Sequence, residues 1–130
     1  DTRESAAIQI CKNLMEEGAA LFIHDPKVSC EQISRDLNLK PLSLRDWDKT
    51  EKPENHGYWD TMDSLENGFI GADAVLVLTE WAEYKKIDWV NVSSQMRKPS
   101  WLFDARSIIE PAKLKNTNIN FWRIGDGLQH

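Results

Sequence analysis

The chain has 130 residues, 41% hydrophobic and 28% charged, with 16 Lys and Arg against 21 Asp and Glu for a net charge of −5. This fits one ordered α/β-sized domain, 1–130, with a modest core, and excludes a disordered chain. The negative balance argues against broad binding to nucleic acid or to an anionic membrane, while leaving room for a local basic site.

No apolar run approaches the ~20 residues of a membrane span, and no signal peptide is evident. Cys11 and Cys30 have neither metal spacing nor a CxxC pattern. Both fall on helical patterns and read as reduced, half-buried thiols of a reducing compartment, so the expected location is cytoplasmic.

In chain order, Ala7, Ile8, Cys11, Leu14 and Met15 recur at helical spacing, with Thr2 or Ser5 able to cap the start and Gly18 to stop the helix. Arg3 stands at the helix start, where a cation is disfavoured unless an anion lies nearby. It reads either as a local partner of Glu4 or as a phosphate contact. Ala19–Ile23 predicts a buried strand ending at His24-Asp25-Pro26, with Asp25 either opening the Pro26 turn or meeting a ribose. The ribose reading needs a glycine-rich turn ahead of the first helix, and none occurs here.

Ser29-Cys-Glu-Gln32 predicts a capping box for a helix through Leu37. The polar, aperiodic stretch 38–58 predicts a long surface excursion anchored by Trp47 and Trp59, and 58–62 a short edge strand. Asp63 is expected to cap a small helix over 64–69 before Gly71.

The run Ala74–Leu78 predicts a strand buried on both faces, with Thr79, Glu80 and Trp81 at its carboxyl edge, where α/β sheets collect ligands. Asp88 predicts the cap of a helix through Met96, broken by Pro99. Ser100–Asp104 predicts a further strand, which brings Arg106 to the same edge as Glu80. That arginine can pair with Glu80 or Asp104, or grip a phosphate with its planar fork of donors. A turn at 111–114 and a strand over 118–124, ended by Gly125-Asp-Gly127, complete the chain. The alternation predicts a Rossmann-like, doubly wound, mostly parallel sheet with helices on both faces. His24, Asp25, Glu80 and Asp104 assemble into a Mg²⁺ site only on paper, and no metal is expected.

Asp1-Thr-Arg-Glu-Ser5, His24-Asp-Pro26, Leu78-Thr-Glu-Trp81 and Phe103-Asp-Ala-Arg106 occur in the order and spacing of the C-terminal, UDP-binding domain of the UDP-glucose/GDP-mannose dehydrogenase family, which the chain resembles over most of its length. Leu-Thr-Glu-Trp points to the UDP-glucose 6-dehydrogenase branch. The resemblance implies a domain of a longer enzyme that oxidises UDP-glucose to UDP-glucuronate with two NAD⁺. The implied partners are an N-terminal NAD-binding domain, a helical middle segment and a second copy in a homo-oligomer. It matches Arg3 to the arginine that reaches NAD and Arg106 to the arginine that binds the UDP-sugar. The family's catalytic cysteine, lysine and carboxylate have no match here, so the chain alone is expected to be inactive.

Two departures stand out. The family usually has Gly where this chain has Ala105. The family's first strand, central in the order 3-2-1-4-5-6, and the Lys-containing turn are missing from this sequence; if residues 1–130 are all there is, strain, strand substitution from another chain or a collapsed gap is expected. Two alternatives remain: a domain of a GDP-mannose or UDP-N-acetylhexosamine dehydrogenase, or a non-catalytic α/β interaction module whose Arg3 and Arg106 pair with Glu4 and Asp104.

Overall fold

The computed structural model describes residues 2–44 and 56–124. The expected Trp47 anchor and the Gly125-Asp-Gly127 strand end lie outside the described residues. The chain packs as two compact units, 1–62 and 63–130, taken here one at a time. Both are α/β with parallel strands, as the Rossmann-like expectation requires.

In the first unit, α1 (Thr2–Glu16) leads to β1 (Ala20–Ile23), α2 (Cys30–Leu37), a 3₁₀ turn over Leu42–Leu44 and β2 (Tyr58–Thr61). Gly18, at φ 93°, ends α1 in the left-handed conformation that glycine adopts without steric cost. Ser29 caps α2 by accepting the Gln32 N–H at 3.1 Å. The Gln32 side chain bonds Asp36 and Arg35 instead of reaching back, so only half of the expected capping box forms. β1 and β2 pair in parallel with Ala20 opposite Tyr58.

The core gathers Met15, Leu37 and Trp59, with Ile8, Cys11, Leu21, Ile23 and Ile33 against it. Trp59 is wholly buried, and its indole N–H donates to the Leu39 carbonyl at 2.7 Å, so it does anchor the start of the polar excursion. Gly57 runs so close to α1's end that a Cβ there would fall 1.8 Å from the Ala19 oxygen.

The second unit holds β3 (Ala74–Val77), a 3₁₀ turn over Ala82–Lys86, α3 (Trp89–Gln95), β4 (Trp101–Asp104), a 3₁₀ turn over Pro111–Leu114 and β5 (Asn120–Arg123), with sheet order β3-β4-β5, all parallel. Asp88 caps α3 by accepting the Asn91 N–H. Phe69, Val77, Tyr84, Trp89, Val92, Met96, Leu102 and Ile109 are buried.

Two expectations are corrected. Residues 65–71 form turns rather than a helix: Ser64, not Asp63, receives the Glu66 and Asn67 N–H groups, and the segment closes in a single turn too short to propagate. β3 is buried on one face only. Val77 is covered, while Ala74 and Leu76 on the other face are exposed within this unit.

Each sheet has an edge strand with one partner: β1 pairs with β2, and β3 with β4.

Replacing Trp59 with Ala should cost about 3–5 kcal/mol in denaturant unfolding, since it empties the core and leaves the Leu39 carbonyl only the longer bond from the Ser34 hydroxyl at 3.3 Å. Burial pushes the Cys11 thiol above its ordinary 9.0. The unfolded chain therefore releases that proton first. This contribution to stability is complete below pH 9.0 and is lost as pH rises through the higher folded value. Unfolding curves taken between about pH 8 and about pH 11 should show the decline, and Cys11→Ala should remove that share of it.

Candidate functional site at the carboxyl edge of β3 and β4

β3 and β4 run in parallel with Val77 opposite Asp104, and the ladder continues one step further as the Ala105 N–H donates to the Val77 carbonyl at 3.0 Å. Residues 78–81 and 105–107 therefore leave the sheet side by side, as the sequence pattern requires.

Asp104 is wholly buried. One of its carboxylate oxygens accepts the Arg106 N–H at 3.0 Å and the other the Ile109 N–H at 2.8 Å. A buried carboxylate is costly unless bonded, and here both oxygens hold the backbone of the turn that follows β4. Ser107 takes the left-handed conformation at φ 56° and its hydroxyl donates to the Ile124 carbonyl. Ala105 is not among the described positive-φ residues, so this backbone makes no demand for the family's glycine.

The Arg106 side chain turns to Glu80. Its Nε and Nη2 donate to the same oxygen, Glu80 Oε1, at 3.1 and 2.7 Å. The two side chains are 30% and 49% exposed, so the pair adds little stability by itself. Among the described residues Nη1 has no partner. Of the two carboxylates considered for Arg106, Glu80 takes the guanidinium and Asp104 takes only the backbone. This departs from the Arg106–Asp104 pairing expected of an interaction module.

Trp81 heads the 3₁₀ turn Ala82–Lys86, its indole N–H buried without a partner among the described residues. Thr79 is half-buried.

Arg3 lies in the first turn of α1; its side chain is outside what the structure describes. His24 follows β1, and Asp25 accepts the Lys27 N–H at 2.8 Å across Pro26, which is the turn role expected of it. Among the described residues no group of three or more His, Cys, Asp and Glu can hold a metal ion. The residue that sequence reasoning undervalued is Asp104. Its signal was a carboxylate placed in step with buried Leu102 on an apolar strand, where only backbone or cationic partners can satisfy it.

With this edge defined, comparison with known proteins is informative. The family model for the UDP-glucose/GDP-mannose dehydrogenase family, UDP binding domain, matches residues 1–111, a span that includes Arg3, Glu80, Asp104 and Arg106.

The chain belongs to this family.

It is similar to UDP-glucose 6-dehydrogenase 4 of Arabidopsis thaliana, 37% identical over 98% of this chain. It is similar also to UDP-glucose 6-dehydrogenase 2 of Oryza sativa subsp. japonica, 35% identical over 100%, and to UDP-glucose 6-dehydrogenase 1 of Glycine max, 33% identical over 98%. The chain spans 27% of the length of each of these relatives.

Asp104→Asn keeps the size of the side chain but turns one acceptor into a donor facing a backbone N–H. It should cost about 1–3 kcal/mol in denaturant unfolding. The amides of Arg106 and Ile109 should then exchange faster with solvent deuterium, while those of α1 and α2 stay unchanged.

Proposed function

We propose that residues 1–130 are a single UDP-sugar-binding domain of a longer dehydrogenase that oxidises UDP-glucose to UDP-glucuronate, with Arg106 as the substrate-binding residue. The supporting observation is the Arg106 guanidinium at the carboxyl edge of β3 and β4, one side occupied by Glu80 and Nη1 without a partner among the described residues. A planar fork of donors suits a diphosphate or a sugar hydroxyl. The turn pinned by Asp104 fixes where that fork leaves the backbone.

NAD, the oxidant in this reading, supplies the acceptor for hydride. This chain does not fit the whole cofactor: its sequence has no glycine-rich phosphate turn, and Asp25 is engaged in its own turn. What it offers is one cation, Arg3, in the first turn of α1, as a contact to NAD held by another part of the enzyme. The chain carries no catalytic residue in this reading. Its work is to bind the UDP part and close over it, with the N-terminal NAD-binding domain, the helical middle segment and a second copy of the enzyme as partners. In this reading the protein works in the cytoplasm, and the free thiols of Cys11 and Cys30 support a reducing compartment.

Calorimetric titration of the complete polypeptide with UDP-glucose should show binding, and GDP-mannose should bind far more weakly. Arg106→Ala should weaken UDP-glucose by about ten- to a hundredfold, the cost of a hydrogen-bonded charge lost from a phosphate or sugar. Undiminished affinity in that variant would overturn the assignment of Arg106.

A further inference from the structure

The grip of Glu80 on Arg106 is one-sided. Both Nε and Nη2 point at a single oxygen of Glu80. The guanidinium is planar, with its five N–H donors fixed in one frame. Holding Nε and Nη2 therefore fixes the direction of Nη1 as well. Two independent features bring the partners to this position. The Val77–Asp104 register, extended by the Ala105–Val77 hydrogen bond, sets β3 and β4 at a common edge. The Asp104 carboxylate then fixes the backbone at Arg106. Glu80 lies three residues beyond Val77 and Arg106 two beyond Asp104, so the long side chains meet past the end of the ladder.

We infer that Glu80 is a positioning residue for substrate binding: it holds the Nε–Nη2 edge of Arg106 so that the Nη1 edge is presented to the UDP-sugar. This deepens the proposed function and rests on Arg106 being the UDP-sugar ligand. A freely rotating arginine loses much side-chain entropy when it binds an anion, and one already held along one edge loses less. Glu80 is also an anion, and close to a diphosphate it would repel it. At 49% exposure that repulsion is screened by solvent and salt. The arginine retains donors for both partners, so orientation outweighs repulsion.

The test is a double-mutant cycle on the complete polypeptide, read by calorimetric titration with UDP-glucose. Glu80→Ala should weaken binding by about tenfold, the size of coupling between directly bonded neighbours. Glu80→Gln keeps an oxygen at the same reach and removes the charge, so it should restore affinity to within about threefold of the unsubstituted protein. In an Arg106→Ala background, Glu80→Ala should change nothing further. A merely structural role for Glu80 would give neither the rescue nor the coupling. Should Glu80→Ala fail to fold, Glu80→Asp, which withdraws the oxygen by one methylene, replaces it with the same expected loss.

If Arg106→Ala weakens binding while Glu80→Ala leaves it equal or tighter, Glu80 is a competitor and the inference falls with the Arg106 assignment intact. A loss from Glu80→Ala that persists without Arg106 overturns it too. If Arg106→Ala itself binds normally, the proposed function fails first and takes this inference with it.

Discussion

The Asp104 carboxylate is the constraint on which the rest of the site depends. It lies wholly out of solvent and survives there as an acceptor for two backbone N–H groups, those of Arg106 and Ile109. A charge in that position would be strongly destabilising without them. With them it ties the chain leaving β4 into one geometry and decides where Arg106 begins. Glu80 then decides where the guanidinium at its far end comes to rest. The interior bonds supply stability, and the outer pair, being half-exposed, supplies direction.

The first unit uses a comparable device with an apolar body. Trp59 fills the space among Met15, Leu37 and their neighbours, and its single polar atom reaches the Leu39 carbonyl. The chain leaving α2 is thereby fastened to the core at one point, directly after the left-handed cap at Asn38.

Most elements were legible because their ends carry local signals. Gly18, Ser29 and Asp88 stop or start helices through backbone freedom or side-chain acceptance, which need no knowledge of distant contacts. The apolar runs of β1, β3 and β4 identified strands to within a residue or two. What the runs could not report was cover. Ala74–Leu78 looks the same whether one face or both are packed, and in its own unit β3 is packed on one. The segment 64–69 misled because Ser64 does act as a cap, but over a single closed turn.

At the site, the shared edge of Glu80 and Arg106 followed from both lying just beyond strands. Which carboxylate would meet the guanidinium depended on the register of β3 against β4, which no local pattern encodes. The role of Asp104 was hidden because its partners are backbone amides, invisible in side-chain chemistry. The family motifs pointed to the arginine, and the physical reason for its placement came from the fold.

The one-sided cover of the second sheet divides its residues by parity. In β4, Leu102 and Asp104 face the buried side, while Trp101 and Phe103 stack with ring centres 5.6 Å apart on the other, and Trp122 of β5 lies beside Phe103. Strand pairing carries the same alternation across β3 and β5. A polar replacement at 101 or 122 would thus fall on surface already wet within this unit and would raise solubility, whereas the same change one residue away, at 102, would enter the core. For anyone adapting this chain for expression, the sheet offers two alternating sets of positions with opposite tolerance: 74, 76, 101, 103, 120 and 122 on one face, and 75, 77, 102, 104, 121 and 123 on the other.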